Sequence, residues 1–296
     1  MSVEHSNGRV QALRADLTAK LQELLSADGF DSIAWMRMTA STQDLARGCA
    51  SAAAGPVSAV YVADSQSAGR GTHGRKWDDA GASLLMTVAA PLSVPVAQAR
   101  GLPLAVGVAA AQALRSLEPA VRVKWPNDLW LHEGKLAGIL CEACRDKTGR
   151  VHVAAGIGVN IAFGLKEARS DAAVGVSPAA GASPRAALLS LEAGQSAQTL
   201  DPLRVSLAAL LARAICKTLT GFGVETMRRV VSLWPMYDAM AGRRVRVFDP
   251  ESDPDAAQGA GVVAEGVVCG ITPAGELVLE TSKGRILVQT GSVRAV

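Results

Sequence analysis

Between an apolar run and an indole, the segment GRGTHGRKW sets Gly69, Gly71 and Gly74 among Arg70, His73, Arg75 and Lys76, and ends on Trp77. Glycines let backbone amides approach an anion closely, and guanidinium groups add charge-assisted hydrogen bonds to phosphate or carboxylate. The segment therefore reads as an anion-binding loop. Taken alone, it reads equally well as a glycine hairpin with solvated basic side chains. Its opening, GRGTHG, also fits the dinucleotide pattern GxGxxG. That pattern needs a helix opening at the glycines and an acidic residue about 20 positions on. Here WDDAGAS follows directly, and Val94 and Pro95 stand where the acid is needed, so a Rossmann site is set aside.

Three further segments follow in order: KWPNDL (Lys124 to Leu129), GKLAGIL (Gly134 to Leu140) and GIGVN (Gly156 to Asn160). Together with GRGTHGRKW they closely resemble the motif series of biotin protein ligases. The resemblance spans roughly residues 35 to 165 and extends more loosely to a C-terminal barrel like that family's SH3-like domain. It implies an ATP-dependent ligase that forms biotinyl adenylate and transfers biotin to a lysine of a biotin carboxyl carrier protein, the acetyl-CoA carboxylase subunit. ATP and biotin would be substrates, with Mg²⁺ carried on ATP. The resemblance is to the form without an N-terminal DNA-binding domain, a ligase that is not also a repressor.

Biotin has an apolar bicyclic body, a ureido group and a carboxylate tail, so its pocket should be mainly apolar with a few placed polar groups. By resemblance, Ser41, Thr42, Gln43 and Gln66 supply those groups, with Gly69, Arg70, Gly71, Thr72, Lys135 and Gly138 completing the biotin site. Arg70 would hold the carboxylate end and the activated phosphate, while the backbone amides of Gly69 and Gly71 let the loop fold over the ligand. The same resemblance gives ATP to Arg70, Arg75, Trp77, Asn127, Asp128, Lys135 and Asn160, the indole stacking on adenine and the amides hydrogen bonding. Activation brings two anions together, a carboxylate and the α-phosphate, so fixed positive charge must stand where they meet, and Lys135 is assigned that place. Asp128 is assigned to orient the amine of the acceptor lysine or its proton. Arg70, Lys135 and Asp128 thus form the expected catalytic set. Each has a plain structural rival: Trp77 and Trp125 as core, Lys135 as a solvated strand-end lysine, Asn127 and Asp128 as turn formers after Pro126.

The chain departs from the family pattern at Thr72, where an arginine is usual, and at Ala40 and Gln43, where aspartate and asparagine are usual. Gln43 offers a similar amide, and His73 or Arg75 offers charge in place of the missing guanidinium. Two other functions compete. A lipoate ligase would share the architecture, though KWPNDL and GRGTHGRKW resemble the biotin branch. A non-catalytic biotin-binding module would need neither Lys135 nor Arg70.

The elements that must position these residues alternate in type. Val10, Leu13, Leu17, Leu21 and Leu24 recur at helical spacing and predict an opening amphipathic helix. SIAWMRM, VSAVYVADS, SLLMTVAAPL, KLAGILCEACR and HVAAGIGVNIAF read as strands, and VRVKWPNDLWL as a strand broken by a turn. Helices are predicted after Thr39 to Thr42, over LPLAVGVAAAQALRSL, and from Leu203 to Phe222. From Gly164 to about Thr199 the Ala-, Ser-, Gly- and Pro-rich composition marks a loop region, with a short helix near Arg185 to Leu191. After Gly242, RRVRVF, GVVAEGVVCGI, GELVLET and RILVQTG read as short strands of a small barrel. The elements read as mixed α and β followed by a small barrel, and the resemblance implies the rest: an α+β mixed-sheet catalytic domain with flanking helices, class II synthetase-like and of biotin/lipoate ligase type, over residues 1–240, then an SH3-like β-barrel over 241–296.

Composition agrees with a globular enzyme: of 296 residues, 49% are hydrophobic and 19% charged, which excludes global disorder. A net charge of +3 makes no case for nucleic acid. The start, MSVEHSNGRV, shows no apolar signal region, and no apolar run reaches about 18 residues, so a cytoplasmic protein with no membrane partner is expected. Cys49, Cys141, Cys144, Cys216 and Cys269 are odd in number and suit a reducing compartment. CEAC has CxxC spacing, but its odd offset within a strand sends the thiols of Cys141 and Cys144 to opposite faces. His5, His73, His132 and His152 show no ligand spacing, so no structural metal is predicted.

Overall fold

The computed structural model describes residues 13–77, 81–163, 184–189, 197–250 and 261–296. Its larger sheet contains β1 (Ser32–Thr39), β2 (Ala59–Gln66), β3 (Gly81–Pro91), β4 (Val121–Lys124), β5 (Asp128–Leu131), β6 (Gly134–Arg145) and β7 (Val151–Phe163). The strands lie in the order β1-β2-β3-β7-β6-β5-β4, parallel between β1 and β2 and antiparallel elsewhere. Strand alternation divides the side chains between two faces. Val60, Val62, Leu84, Met86, Val88, Val153, Ala155 and Ile157 enter the main core. Ala59, Ala89 and Ala154 face the other way, under Ala46 and Ala50 of α2 (Thr42–Ala52).

The main core is closed by α1 (Ala15–Leu24), α3 (Leu102–Leu114), α4 (Asp201–Thr220) and α5 (Val224–Tyr237). Helix α3 has Pro103 in its first turn, where a missing N–H costs nothing, and buries nearly every side chain from Leu102 to Leu114. Among the described residues the opposite face carries the helix α2 alone, which leaves the neighbouring part of the sheet as the floor of a cleft. A single strand shows the division: Cys141 packs against the main core and Cys144 against the α2 cluster, as their odd offset requires.

The rest of the chain forms a five-stranded antiparallel sheet of β8 (Arg244–Phe248), β9 (Val262–Ile271), β10 (Leu277–Thr281), β11 (Gly284–Val288) and β12 (Ser292–Ala295), in the order β11-β10-β9-β8-β12. It is tied to the larger sheet by Trp125 Nε1, which donates to Gly275 O at 2.9 Å, by Arg243 at its start, which reaches the Glu133 carboxylate at 2.6 and 2.8 Å, and through the preceding segment, where Ala239 N–H donates to Val123 O at 2.9 Å.

Three expectations need correction. The buried stripe of α1 is Leu17, Leu21 and Leu25; Leu13 and Leu24 are exposed, and Val10 lies outside the described residues. Helix α5 is absent from the sequence reading although Met227, Val230 and Trp234 recur at helical spacing and are buried; Pro235, near its end, masks the pattern. The short helix near Arg185 is instead an extended strap, Pro184 to Leu189, bridged to Lys135 and Ala162, because its backbone finds partners on β6 and β7. Residues 190 and 191 of that expectation, and the loop region over 164–183 and 190–196, lie outside the described residues.

The corrected stripe is directly testable by urea unfolding. Leu21→Ala should cost about 2–5 kcal/mol, and Leu24→Ala should stay within about 0.5 kcal/mol of the parent.

Candidate active site

The open face of the sheet carries a solvent-open cleft with about 500 Å³ of empty space, open solvent included. Its floor is β3, β7 and β6: Leu85 and Thr87, Gly156 and Gly158, Gly138 and Leu140. One end is polar and internally ordered. Ser41 caps α2, its hydroxyl accepting from Gln43 N–H at 3.3 Å. Thr42 N–H donates to Gln66 Oε1 at 2.6 Å, and the Thr42 hydroxyl lies 3.1 Å from that oxygen and 2.9 Å from Thr87 Oγ1. The Thr87 hydroxyl donates to Gln43 Oε1 at 3.2 Å, and Gln43 Nε2 donates to Ala154 O at 2.9 Å. Such a chain fixes which way each amide points before any ligand arrives. Gly156 is small for this reason: a Cβ there would stand 2.5 Å from Gln43 Oε1.

At the other end Lys135 Nζ lies 2.7 Å from Asp128 Oδ1 and 5.5 Å from the centre of the Trp77 ring. The indole rests on paired glycines, Gly138 opposite Gly158 in the β6–β7 register. A Cβ on Gly158 would come within 2.6 Å of the ring, and one on Gly138 within 2.8 Å of the ring and 3.3 Å of Lys135 Nζ. The glycines of GKLAGIL and GIGVN thus form a seat, and the buried Trp77 Nε1 has no hydrogen-bond partner among the described residues.

The loop from Gly69 to Trp77 is a tight hairpin rather than the start of a helix. Arg70 and Lys76 form an antiparallel bridge, Thr72 to Gly74 make a single 3-10 turn, and His73 and Gly74 adopt φ of 58° and 71°. Gly71 N–H donates to Arg75 O at 2.7 Å within the hairpin. Arg70 lines the cleft but turns its guanidinium to Asp44 of α2, with contacts of 2.6 and 3.0 Å, and lies 3.8 Å from Glu142.

Most of the residues singled out from the sequence meet at this cleft: Ser41, Thr42, Gln43, Gln66, Arg70, Gly71, Thr72, Trp77, Asn127, Lys135 and Gly138 line it. Asp128 stands behind Lys135, and Gly69 supports the wall, its carbonyl accepting from Trp77 N–H at 3.0 Å. Arg75 is exposed and does not line the cleft. Asn160 is buried, and its amide is spent on Lys135 O at 3.2 Å and Ala186 O at 3.1 Å. Asn127 lines the cleft while its Nδ2 donates to Ile139 O at 2.8 Å. Two residues carried no role in the sequence reading. Thr87 sits mid-chain in the polar network. Lys124 is buried with its ammonium over the Trp130 ring at 4.5 Å, on the strand position opposite Asp128. Burial pushes its pKa down to about 8, against the raising effect of Asp128, with Lys135 and Arg294 adding repulsion.

Comparison with known proteins supports the same grouping. The profile of the biotin/lipoate A/B protein ligase family matches residues 35–160. A biotin--[acetyl-CoA-carboxylase] ligase of Paracoccus denitrificans is 31% identical over 246 residues, covering 80% of this chain and 90% of that protein. The bifunctional ligase/repressor BirA of Escherichia coli (strain K12) is 35% identical over 189 residues, covering 63% of this chain and 54% of its own. The chain thus spans about half the length of that relative. A biotin protein ligase of Aquifex aeolicus, solved in complex with biotin and ATP, shares the fold at a TM-score of 0.59 and 21% identity, over 90% of this chain and 100% of its own.

Lys124 gives this site a pH signature. Its folded-state pKa of about 8 lies below its ordinary 10.5, so between these values the unfolded chain holds a proton that the folded one lacks, and stability rises with pH. Relative to Lys124→Met, the parent should gain about 3 kcal/mol in urea unfolding between pH 7 and 10.5.

Proposed function

The chain belongs to the biotin/lipoate A/B protein ligase family, and on that premise we propose that it is an ATP-dependent biotin ligase. It joins biotin to AMP and passes the biotinyl group to a lysine of a biotin carboxyl carrier protein, the acetyl-CoA carboxylase subunit. The observation that carries the reading is the Lys135 ammonium, held at 2.7 Å by Asp128 above a glycine seat at one end of a cleft whose other end is a preset polar network.

In the first step a biotin carboxylate oxygen bonds to the α-phosphorus of ATP as the bond to pyrophosphate breaks. Two anions must approach, and Lys135 places positive charge between them without reorganisation at the moment of reaction. Magnesium arrives on the triphosphate, where such ions keep several waters and need only one or two carboxylates. Asp128 would be the carboxylate to help hold it, and the ion would offset charge on the departing pyrophosphate. Arg70 exchanges Asp44 for the ligand's anion. In the second step the acceptor amine attacks the acyl carbon, AMP leaves, and the amine gives up a proton. Asp128 orients that amine. Trp77 offers its ring to adenine, with Asn127 nearby. The polar network from Gln43 to Gln66 meets the ureido end, and the apolar floor meets the rings.

The same reading assigns residues 241–296 to an SH3-like barrel beside a catalytic domain of residues 1–240, and places the enzyme in the cytoplasm with its carrier. The deciding experiment incubates the protein with ATP, Mg²⁺ and biotin, with and without a carrier domain, and follows pyrophosphate and carrier mass. Pyrophosphate release and a carrier heavier by one biotinyl group are expected; release with lipoate in place of biotin, or with neither, would overturn the proposal.

Two variants test the roles. Lys135→Ala should lower single-turnover pyrophosphate release by about 10²–10³-fold, the usual loss when a preorganised charge donor is removed. Thr72→Arg should slow adenylate dissociation by about tenfold or more, since a charge-assisted bond to phosphate contributes ~1.5–3 kcal/mol; an unchanged off-rate would sink the assignment of Thr72 to the ligand.

A further inference from the structure

In β6 the residues Gly138 and Leu140 face the cleft. Lys135 is an odd offset from both, so a regular strand would turn its side chain toward the helix-covered core. It faces the cleft because the strand is irregular there. The β5–β6 register passes from Leu129 opposite Ala137 to Trp130 opposite Lys135, which leaves Leu136 as an extra residue. Leu136 and Ala137, neighbours in sequence, are both fully buried in the main core. A bulge of this kind re-aims a side chain at the cost of local pairing.

The other edge of β6 is held at this point by a distant part of the chain. The β6–β7 ladder stops at Ala137 opposite Val159. Beyond it, Lys135 N–H donates to Pro184 O at 2.7 Å and Ala186 N–H donates to Lys135 O at 2.9 Å. Leu188 N–H and Leu189 N–H continue onto Asn160 O and Ile161 O at 3.2 and 2.8 Å. Asn160 Nδ2 joins the pieces, reaching Lys135 O and Ala186 O together. Gly134 leaves room for the strap, since a Cβ there would lie 2.9 Å from Ala186 Cβ and N and from Arg185 C.

We infer that the strap Pro184 to Leu189 and the Asn160 amide are the positioning device of Lys135: they clamp the β6 bulge and thereby aim the ammonium into the cleft. The inference rests on the ligase reading for its kinetic consequence but not for its structural one. Asn160 is on this account a positioning residue, acting through the main chain of Lys135 rather than on nucleotide.

The test uses the full chain with Ala186→Pro, which removes the N–H donated to Lys135 O, and Asn160→Ser, whose hydroxyl is too short to span both carbonyls. In the ligand-free protein each should speed hydrogen exchange at the Lys135 amide by about tenfold or more relative to the parent, as local opening becomes easier. In single turnover each should slow pyrophosphate release by about tenfold or more, with the biotin Kd from calorimetry within about twofold, as expected when a reacting group is misplaced and binding is spared. In a Lys135→Ala background the further loss should shrink to about twofold, because both changes act on one interaction. Unchanged exchange at Lys135 overturns the clamp whatever the activity. A full loss persisting without the Lys135 side chain, or a biotin Kd weakened as much as the rate, overturns the positioning role. If the parent releases no pyrophosphate with biotin and ATP, the ligase reading fails while the exchange result still judges the clamp. Should Ala186→Pro fail to fold, Asn160→Ser reads the same quantities.

Discussion

On the proposed reading, Lys135 has to be held by something weaker than the anions it is to meet, and the Lys135–Asp128 contact supplies such a restraint. At 2.7 Å, with both side chains still partly open to water, the pair orients Lys135 without locking it away. Coulomb attraction at such a site is discounted by solvent, so its contribution is direction more than stability. The rest of the cleft follows from giving this pair room. Gly138 and Gly158 must lack side chains for Trp77 to lie beside the ammonium, and these glycines are register partners on adjacent strands. Ring and charge therefore share one seat, whose position is set by the ladder and not by a loop.

The polar end obeys a different constraint. Buried donors and acceptors are costly when unmatched, so the polar groups of this pocket have to satisfy one another while no ligand is bound. The chain from Gln66 through Thr42 and Thr87 to Gln43 and Ala154 O does this, using residues from α2 and three strands. Because Gln66 Oε1 and Gln43 Nε2 are already engaged, the direction of each amide is fixed in advance. A ligand then exchanges single bonds at the edge of a network without reorganising it.

How much of this is visible in the sequence depends on whether a residue acts through its side chain on its own face. Trp77 and Lys135 stand in ordered motifs and reach one cleft with Ser41, Thr42 and Gln66, which the family resemblance singles out, and the strands around them are legible from alternation and glycine punctuation. Asn160 sits in the same kind of motif, yet its amide is turned to the main chain of Lys135 and Ala186, a distinction that a motif does not encode. Arg75 shares a loop with Arg70, but the 3-10 turn at Thr72 directs it to solvent. The bulge at Leu136 is invisible to a periodicity argument, which would have sent Lys135 into the core. The strap has no periodicity of its own, because its order comes from hydrogen bonds to strands distant in the chain. Helix α5 was obscured by Pro235 in its last turn, and β12 by its short length.

The turn between β4 and β5 links these local devices to the C-terminal sheet. Lys124, Trp125, Asn127 and Asp128 are nearly consecutive but point to different tasks. Lys124 is buried against Trp130, Trp125 donates to Gly275 O, Asn127 donates to Ile139 O, and Asp128 holds Lys135. A buried ammonium opposes folding, and it persists only where its surroundings cannot relax away from it. The Gly275 turn provides such rigidity: its φ is 82°, and a Cβ there would fall 2.8 Å from Gly101 Cα at the start of α3. Asp238 adds a second fixed point, its carboxylate accepting from Trp234 Nε1 and Met240 N–H at 2.8 Å each, one residue before Ala239 bonds to Val123 O. The C-terminal sheet thus braces the back of the turn that presents Asp128. It supports the Lys135 end of the cleft from behind, and among the described residues none of its side chains lines the wall.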